Sequence, residues 1–554
     1  MQIKELYTNK EEINIYTYLQ KCGISNVDLY LDNSYIESID NYNNIYNMAD
    51  ELLKSIKFNE NIYLLIDCDN DGFMSATISY IYFKRLNNDI EIIPIFHNEN
   101  PKAHGLEDEE VMTFLREQSP SVLFITDAGT NDCNKCKELK ELGWSIYIAD
   151  HHQKSQDNPY ALIVNNQMSV NVKNKQLCGC GVTHKVLSKI DELNDTHYAS
   201  DLISFVNCAN ISDSCCFTNP EQQTYRYWGN ENIHPNLLPF INEFNNDLTN
   251  NGFSFGVISR FNAVIRAGTL EEKKKLFYSL CTGINTEEVI QICKDCREKQ
   301  NKEKEELLQN VEIITDKNVV LGKTSKTSLT GLMANALMQQ YNKPIMLLHD
   351  RENGEVAGSC RCPNGIPLRK LFNESGLFNY NQGHDFAYGT SYQKENESLI
   401  INYIDNVLNV LEPHIDVLKS YSIKSIPTRL FGLFEPYSAL WNNSGLPKPK
   451  FYIKNITFTP SDWSIIGKNK RTLKLHKEGI DIMIFNCLKK DKEDLQLGHY
   501  ENDIFVSDPS NNKLQMDCVG ELSVNEWNGQ KKFQIVVDKM EIKCYNRPCK
   551  DDLF

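Results

Sequence analysis

The stretch Asn61-Ile62-Tyr63-Leu64-Leu65-Ile66-Asp67-Cys68-Asp69-Asn70-Asp71-Gly72 sets an apolar run directly before three carboxylates at alternate positions. Residues 63–66 read as a buried strand and residues 73–86 as the helix after it. Like charges this close repel and push up one another's pKa. A chain that keeps three of them at a strand tip needs positive charge beside them. The pattern returns further on. Asp127 follows Leu123-Phe124-Ile125-Thr126, Asp150-His151-His152 follows Ile146-Tyr147-Ile148-Ala149, and Asp213 follows Asn210-Ile211-Ser212. With a strand at 90–95 and a helix near 108–117, this alternation predicts a mostly parallel sheet with helices on both faces. Ligands of such sheets bind at the carboxyl ends of the strands.

Any one of these aspartates also serves as a helix N-cap or turn residue. Four such features in succession argue instead for divalent cations, and oxygen-plus-imidazole donors suit Mn²⁺ or Mg²⁺. Two such ions together can clamp a phosphoryl group and activate water for in-line attack. The chemistry implied is that of a phosphoesterase.

The 554 residues are enough for three or four domains. Apolar residues make up 41% and charged residues 24%, ordinary for a soluble globular protein. There is no apolar run long enough for a membrane span, and the polar N-terminus lacks a signal-peptide core. A cytoplasmic protein without membrane contact is expected. Eighteen cysteines are too sparse for a disulfide scaffold. The pairs Cys133/Cys136 and Cys293/Cys296 read as reduced structural thiols rather than zinc ligands. The net charge of −16 argues against broad wrapping of nucleic acid and leaves room for local basic patches.

Six segments are expected: a helical N-terminal segment (1–55), a catalytic domain (56–283), a charged connector helix (284–313), a second α/β domain (314–425), a small β-barrel (426–547) and a tail (548–554). In the first, Ile45, Met48, Ala49, Leu52, Leu53 and Ile56 recur at helical spacing. Strands are expected at 319–321, 345–348 and 354–359, with Gly358-Ser359-Cys360-Arg361-Cys362 opening a small-residue loop whose N–H groups and arginine fork suit a phosphate.

The ordered set Asp67-x-Asp69-x-Asp71-Gly72, Asp127, Asp150-His151-His152 and Asp213 resembles the four motifs of the DHH phosphoesterases, most closely the RecJ branch of single-strand-specific DNA exonucleases. His104-Gly105-Leu106, similar to a tyrosine-glycine-leucine segment of RecJ, Asn165-Asn166-Gln167, the stretch 177–182 and Ser259-Arg260-Phe261-Asn262-Ala263 resemble further RecJ segments in the same order. Ile66, Cys68, Cys362 and Gln382 depart from the residues usual there, which are glycine, tyrosine, serine and glycine.

The resemblance covers roughly residues 50–545 and implies an α/β fold. A parallel-sheet DHH domain would be joined by the long helix to a DHH-associated domain, followed by a C-terminal OB-fold. It implies that Asp67, Asp69, Asp127, His151 and Asp213 hold two divalent cations, Mn²⁺ in preference or Mg²⁺, with Asp127 as bridge. Asp71 would act as ligand or support and His152 near the scissile phosphate. Ser359, Arg361, His384, Arg260, Trp527 and Lys474 would bind substrate, Lys474 within a basic hairpin that includes Lys468, Lys470, Arg471 and Lys477. Read without the resemblance, Arg361 fits a surface salt bridge, His384 a structural histidine, and Trp527 either barrel core or a stacking platform.

The implied activity is 5′→3′ hydrolysis of single-stranded DNA to 5′-mononucleotides in repair or recombination, in a cleft between the two α/β domains too narrow for duplex. The implied protein is a monomer working beside a helicase or a single-strand-binding protein. A phosphodiesterase for short oligonucleotides or cyclic dinucleotides is a rival, weakened by the barrel. A non-catalytic replication scaffold is another, weakened by the complete motif set.

Overall fold

A computed structural model describes residues 1–8, 11–97, 104–244, 248–325, 329–341, 343–363, 366–384, 386–407, 415–441, 445–459, 462–466, 472–485, 498–501, 504–507, 514–527 and 530–544. The chain divides into two compact units. One comprises residues 7–297 and 421–554, the other residues 1–6 and 298–420.

In the first unit five strands lie side by side in the order Ile92–Phe96, Ile62–Ile66, Val122–Thr126, Ser145–Asp150, Leu162–Asn165. Every pair in this sheet is parallel. Ile62–Ile66 and Val122–Thr126 are buried along their whole length, as central strands covered on both faces must be. Apolar runs without alternation therefore mark them. The chain starts in Ile62–Ile66, steps to Ile92–Phe96 on one side, then crosses to Val122–Thr126 on the other. That reversal is a topological switch point, where ligands of open α/β sheets sit.

The helix Ile45–Lys57 buries Ile45, Met48, Ala49, Leu52, Leu53 and Ile56, the residues whose spacing predicts it. Each of the larger side chains, Ala49 excepted, contributes on the order of 1.5–3 kcal/mol when removed from water. The helices Asn70–Leu86, Glu109–Glu117, Cys133–Glu141, Gly179–Asn194 and Ile203–Ser212 follow.

Within the same unit the N-terminal segment packs against residues that lead into the C-terminal sheet. Tyr18 donates its hydroxyl to the Pro447 carbonyl at 2.7 Å, and its ring meets Phe434 and Trp441 edge-on. Arg226 reaches the Ala439 carbonyl at 2.6 Å. Beyond the short edge strand Ser420–Ser422, the C-terminal sheet sets Phe451–Phe458, Leu514–Trp527, Gln530–Cys544, Ile480–Ile484, Thr472–Lys477 and Trp463–Ile466 side by side in that order. It is mixed, because Ile480–Ile484 pairs parallel with Gln530–Cys544 and the other pairs in that order are antiparallel.

The second unit holds a six-stranded mixed sheet in the order Tyr380–His384, Ala387–Gln393, Glu355–Arg361, Ile345–Asp350, Val320–Lys323, Glu312–Thr315. Two corrections to the sequence reading fall here. Residues 358–361 form no loop, because Glu355–Arg361 is one continuous strand paired on both sides. The first residues are not all helical either: Ile3–Glu5 is a strand, parallel to Ile415–Val417. The helix Thr286–Leu308 runs in sequence from the first unit into the second.

Among the described residues no helix is long and apolar enough to cross a membrane. Cys133, Cys136, Cys293 and Cys296 are free thiols, and neither CxxC pair joins a group of metal-ligating side chains among the described residues.

Candidate metal centre

Strand register brings the motif residues together. Ile66 pairs with Thr126, and Thr126 with Ala149. The next residues, Asp67, Asp127 and Asp150, therefore stand beside one another at the ends of three adjacent strands. Asp127 has a left-handed φ of 65°, a conformation aspartate tolerates better than most residues. Its N–H donates to the Ala149 carbonyl at 2.8 Å. Two glycines allow the close approach. A Cβ on Gly179 would stand 2.3 Å from Asp127 Oδ1, and one on Gly72 2.6 Å from Asp67 Cβ.

Each acidic side chain has a distinct setting. Asp69 caps the helix Asn70–Leu86, its Oδ1 accepting the N–H groups of Asp71 (3.0 Å) and Gly72 (3.2 Å). Arg266 Nη2 lies 4.0 Å from its Oδ2. Asp71 receives the start of another helix, Gly179–Asn194: Gly179 N–H donates to Oδ2 at 2.7 Å and Cys180 N–H to Oδ1 at 2.8 Å. Asp213 is the C-cap of the helix Ile203–Ser212. His151 Nε2 stands among them, 3.2 Å from Asp127 Oδ1, 3.8 Å from Asp213 Oδ2 and 3.9 Å from Asp71 Oδ2.

Among the described residues four sets offer ligand atoms within 4.8 Å of one another: Asp67 with Asp69 and Asp127, Asp71 with His151 and Asp213, Asp127 with His151 and His152, and Asp67 with Cys68 and His104. Asp127 and Asp67 each belong to two of the four. Asp150 serves its neighbours. Its Oδ1 accepts the backbone N–H of His151 and takes His152 Nδ1 at 2.8 Å, and its Oδ2 accepts the Thr130 N–H.

Electrostatics expose what the cluster lacks. Burial, then the charges of Asp71, Asp69, Asp67 and Asp213, push the Asp127 carboxyl well above its usual range. Burial lifts Asp71 to about 6, against the pull of His151, and burial with Asp67 raises Asp69. Burial opposes the charged form of His152, but the Asp150 carboxylate outweighs it and carries the ring to about 9. Asp127 Oδ1 is buried and accepts no hydrogen bond. An orphaned carboxylate oxygen among further carboxylates and one imidazole is a donor set that fits a divalent cation.

Sequence reasoning missed two neighbours of the cluster. His104 Nδ1 lies 2.7 Å from Asp67 Oδ2, and Arg266 lies beside Asp69. His104 stands in a stretch that resembles a RecJ segment, so its signal was position in the motif rather than residue type; Arg266 lies three residues beyond the Ser259–Ala263 stretch and carried no such signal.

The substrate-binding candidates fare unevenly. Arg260 is engaged in its own helix, donating to the carbonyls of Phe255 (3.1 Å) and Gly256 (2.8 Å) with its guanidinium over the Phe244 ring. Lys474 pairs with Asp481 at 2.6 Å and Lys477 with Asp462 at 3.1 Å. The hairpin lysines are thus partly neutralised across their own sheet, which the sequence alone does not reveal. In the second unit, Ser359 Oγ bonds Thr330 Oγ1 at 2.9 Å, and Arg361 Nη1 donates to the Cys360 carbonyl at 2.8 Å. The side chains of His384 and Trp527, and Lys468, Lys470 and Arg471, lie outside the described residues.

Residues 61–209 match the family model of the DHH family, N-terminal domain, and residues 444–539 that of the RecJ OB domain. A putative SPbeta prophage-derived single-strand DNA-specific exonuclease, YorK of Bacillus subtilis, is 26% identical over 576 residues, covering 95% of each chain. The single-stranded-DNA-specific exonuclease RecJ of the same organism is 23% identical, over 88% of this chain and 62% of that one. The fold is that of RecJ from Thermus thermophilus, solved in complex with Mn²⁺, with a TM-score of 0.73 at 15% identity over 98% of this chain and 79% of that one. The matches to the DHH N-terminal domain and to the RecJ OB domain thus fall on one polypeptide, in that order.

Proposed function

We propose that this chain is a divalent-cation-dependent exonuclease that hydrolyses single-stranded DNA from the 5′ end to 5′-mononucleotides, in repair or recombination. The observation that carries the reading is the buried, unbonded Asp127 Oδ1 at the centre of converging carboxylates. The OB domain and relatives named as single-strand DNA-specific exonucleases support the choice of substrate. Polarity and biological setting rest on the likeness to RecJ.

Asp67, Asp69, Asp127, His151 and Asp213 would hold two cations, with Asp127 shared. When bound, such ions neutralise charge on the phosphodiester and lower the pKa of an attacking water. Asp71 anchors the start of the helix Gly179–Asn194 and with it the glycine that leaves room for Asp127. His152 is tied to Asp150 through Nδ1, a pairing that raises its pKa, and would offer Nε2–H to a phosphate oxygen. Ser359, Arg361 and His384 in the second unit, and Trp527 in the OB domain, would contact the strand's backbone and bases.

The test is a length ladder of DNA and RNA, labelled at either end and digested with and without Mn²⁺. The expected result is stepwise release of mononucleotides from the 5′ end of single-stranded DNA only when metal is present. Metal-independent cleavage, or cleavage of short oligonucleotides alone, would overturn the reading.

A further inference from the structure

We propose that His104 is a positioning residue of the metal centre: its Nδ1–H fixes the Asp67 carboxylate in the orientation that ligates a cation. This rests on the metal-dependent reading above. It concerns a residue that the motif set does not include, at a position where the RecJ stretches it resembles carry tyrosine.

Asp67 is buried and both its oxygens are engaged by consecutive residues. Oδ2 takes His104 Nδ1 at 2.7 Å, and Oδ1 accepts the Gly105 N–H at 3.3 Å. A carboxylate only accepts, so the imidazole proton sits on Nδ1. The segment that brings His104 here is pinned from behind. Gly105 has a left-handed φ of 56°, and a Cβ there would stand 2.3 Å from Asp132 Oδ2. That same oxygen accepts the Leu106 N–H at 2.7 Å, and Leu106 is fully buried.

Cys68 lies against the otherwise exposed ring. Its sulfur lies 3.8 Å from Nδ1 and 3.9 Å from Nε2. Nearly equal distances place the sulfur against the ring rather than in line with either nitrogen. Position 68 also departs from the tyrosine usual in RecJ, so both departures meet at one carboxylate. A hydrogen-bond donor behind a metal-binding carboxylate sets its orientation, and loss of such a partner weakens metal binding about 10- to 100-fold.

The experiment is a Mn²⁺ titration of the full chain, followed by the electron paramagnetic resonance signal of free Mn²⁺, with exonuclease kinetics in parallel. Three proteins are compared: wild type, His104→Ala and His104→Asn, whose amide nitrogen replaces Nδ1. His104→Ala is expected to weaken binding of one ion about 10- to 100-fold, with kcat at saturating Mn²⁺ near wild type. His104→Asn is expected to recover affinity to within about threefold. Equal melting temperatures of the metal-free proteins verify folding. If wild type binds Mn²⁺ and His104→Ala binds it equally well, the His104 role falls and the metal reading stands. If His104→Asn is as weak as His104→Ala, the imidazole is itself a ligand and the hydrogen-bonding role falls. If wild type binds no Mn²⁺, both fall.

Discussion

Replacing Asp127 by asparagine should reverse the order of stability between metal-free and metal-loaded protein. Asparagine has the same shape and tolerates the left-handed backbone at position 127, so the change is chiefly electrostatic; alanine would add backbone strain. Asp127 offers an oxygen within 4.8 Å of those of Asp67 and Asp69. At that spacing two unit charges repel by about 3 kcal/mol at an effective dielectric constant near 20. Partial protonation relieves some of this, because the Asp127 carboxyl is pushed well above its usual range. In EDTA at pH 8 the variant should therefore be more stable by about 1–3 kcal/mol. With Mn²⁺ at one hundred times its dissociation constant, wild type gains about 2.7 kcal/mol and the variant little. Melting curves in EDTA and in Mn²⁺ should cross: variant higher without metal, wild type higher with it, and exonuclease activity lost in the variant. The same order under both conditions, or equal Mn²⁺ stabilisation of the two proteins, would refute the electrostatic account.

Gly179→Ala should abolish Mn²⁺ binding measured by calorimetry, because its Cβ would stand 2.3 Å from Asp127 Oδ1. The His152–Asp150 pair predicts a pH dependence. The folded-state pKa of His152 is raised to about 9, so the pair's stabilisation is complete below about pH 6.5 and is lost as pH rises through about 9; urea titrations in EDTA at pH 6.5 and 9.5 should show this loss in wild type and a smaller one in Asp150→Asn. The buried ion pair of Lys185 with Glu221 predicts that Lys185→Ala destabilises the first unit by about 3–5 kcal/mol in urea, since it strands a buried carboxylate.

The parallel sheet could be read from the chain because a strand buried on both faces needs no alternation, and runs such as Ile62–Ile66 and Val122–Thr126 have none. The carboxylates followed, since each stands directly after such a run. What escaped depended on partners distant in sequence. Ile3–Glu5 becomes a strand only by pairing with Ile415–Val417. Leu162–Asn165 is four residues long and is defined by its ladder with Ser145–Asp150. Gly358-Ser359 looks like a turn, yet strands on both sides hold it extended. Lys474 reads as a free cation until the neighbouring strand brings Asp481, the cross-strand partner of His476, within 2.6 Å. His104 meets Asp67 from 37 positions away in sequence, beside the end of a strand whose Ile66 pairs with Phe96.

The cluster's carboxylates are not equivalent. Asp69 and Asp71 accept N–H groups at the starts of two different helices, where backbone dipoles favour negative charge. Asp67 has an imidazole on one oxygen and an amide on the other. The protein thus supplies its own partial positive charge to three of the five acids. Asp127 Oδ1 is buried and accepts no hydrogen bond, and the His151 ring stands beside it, with Nε2 3.2 Å away. Evolution of a structural cap would have paired that oxygen, because an unsatisfied buried acceptor costs about 1–3 kcal/mol. The deficit sits where two candidate ligand sets share a residue. A cation placed there would relieve the strongest repulsion in the site, and the remaining acids, already oriented by helix starts and by His104, would need little rearrangement to receive it.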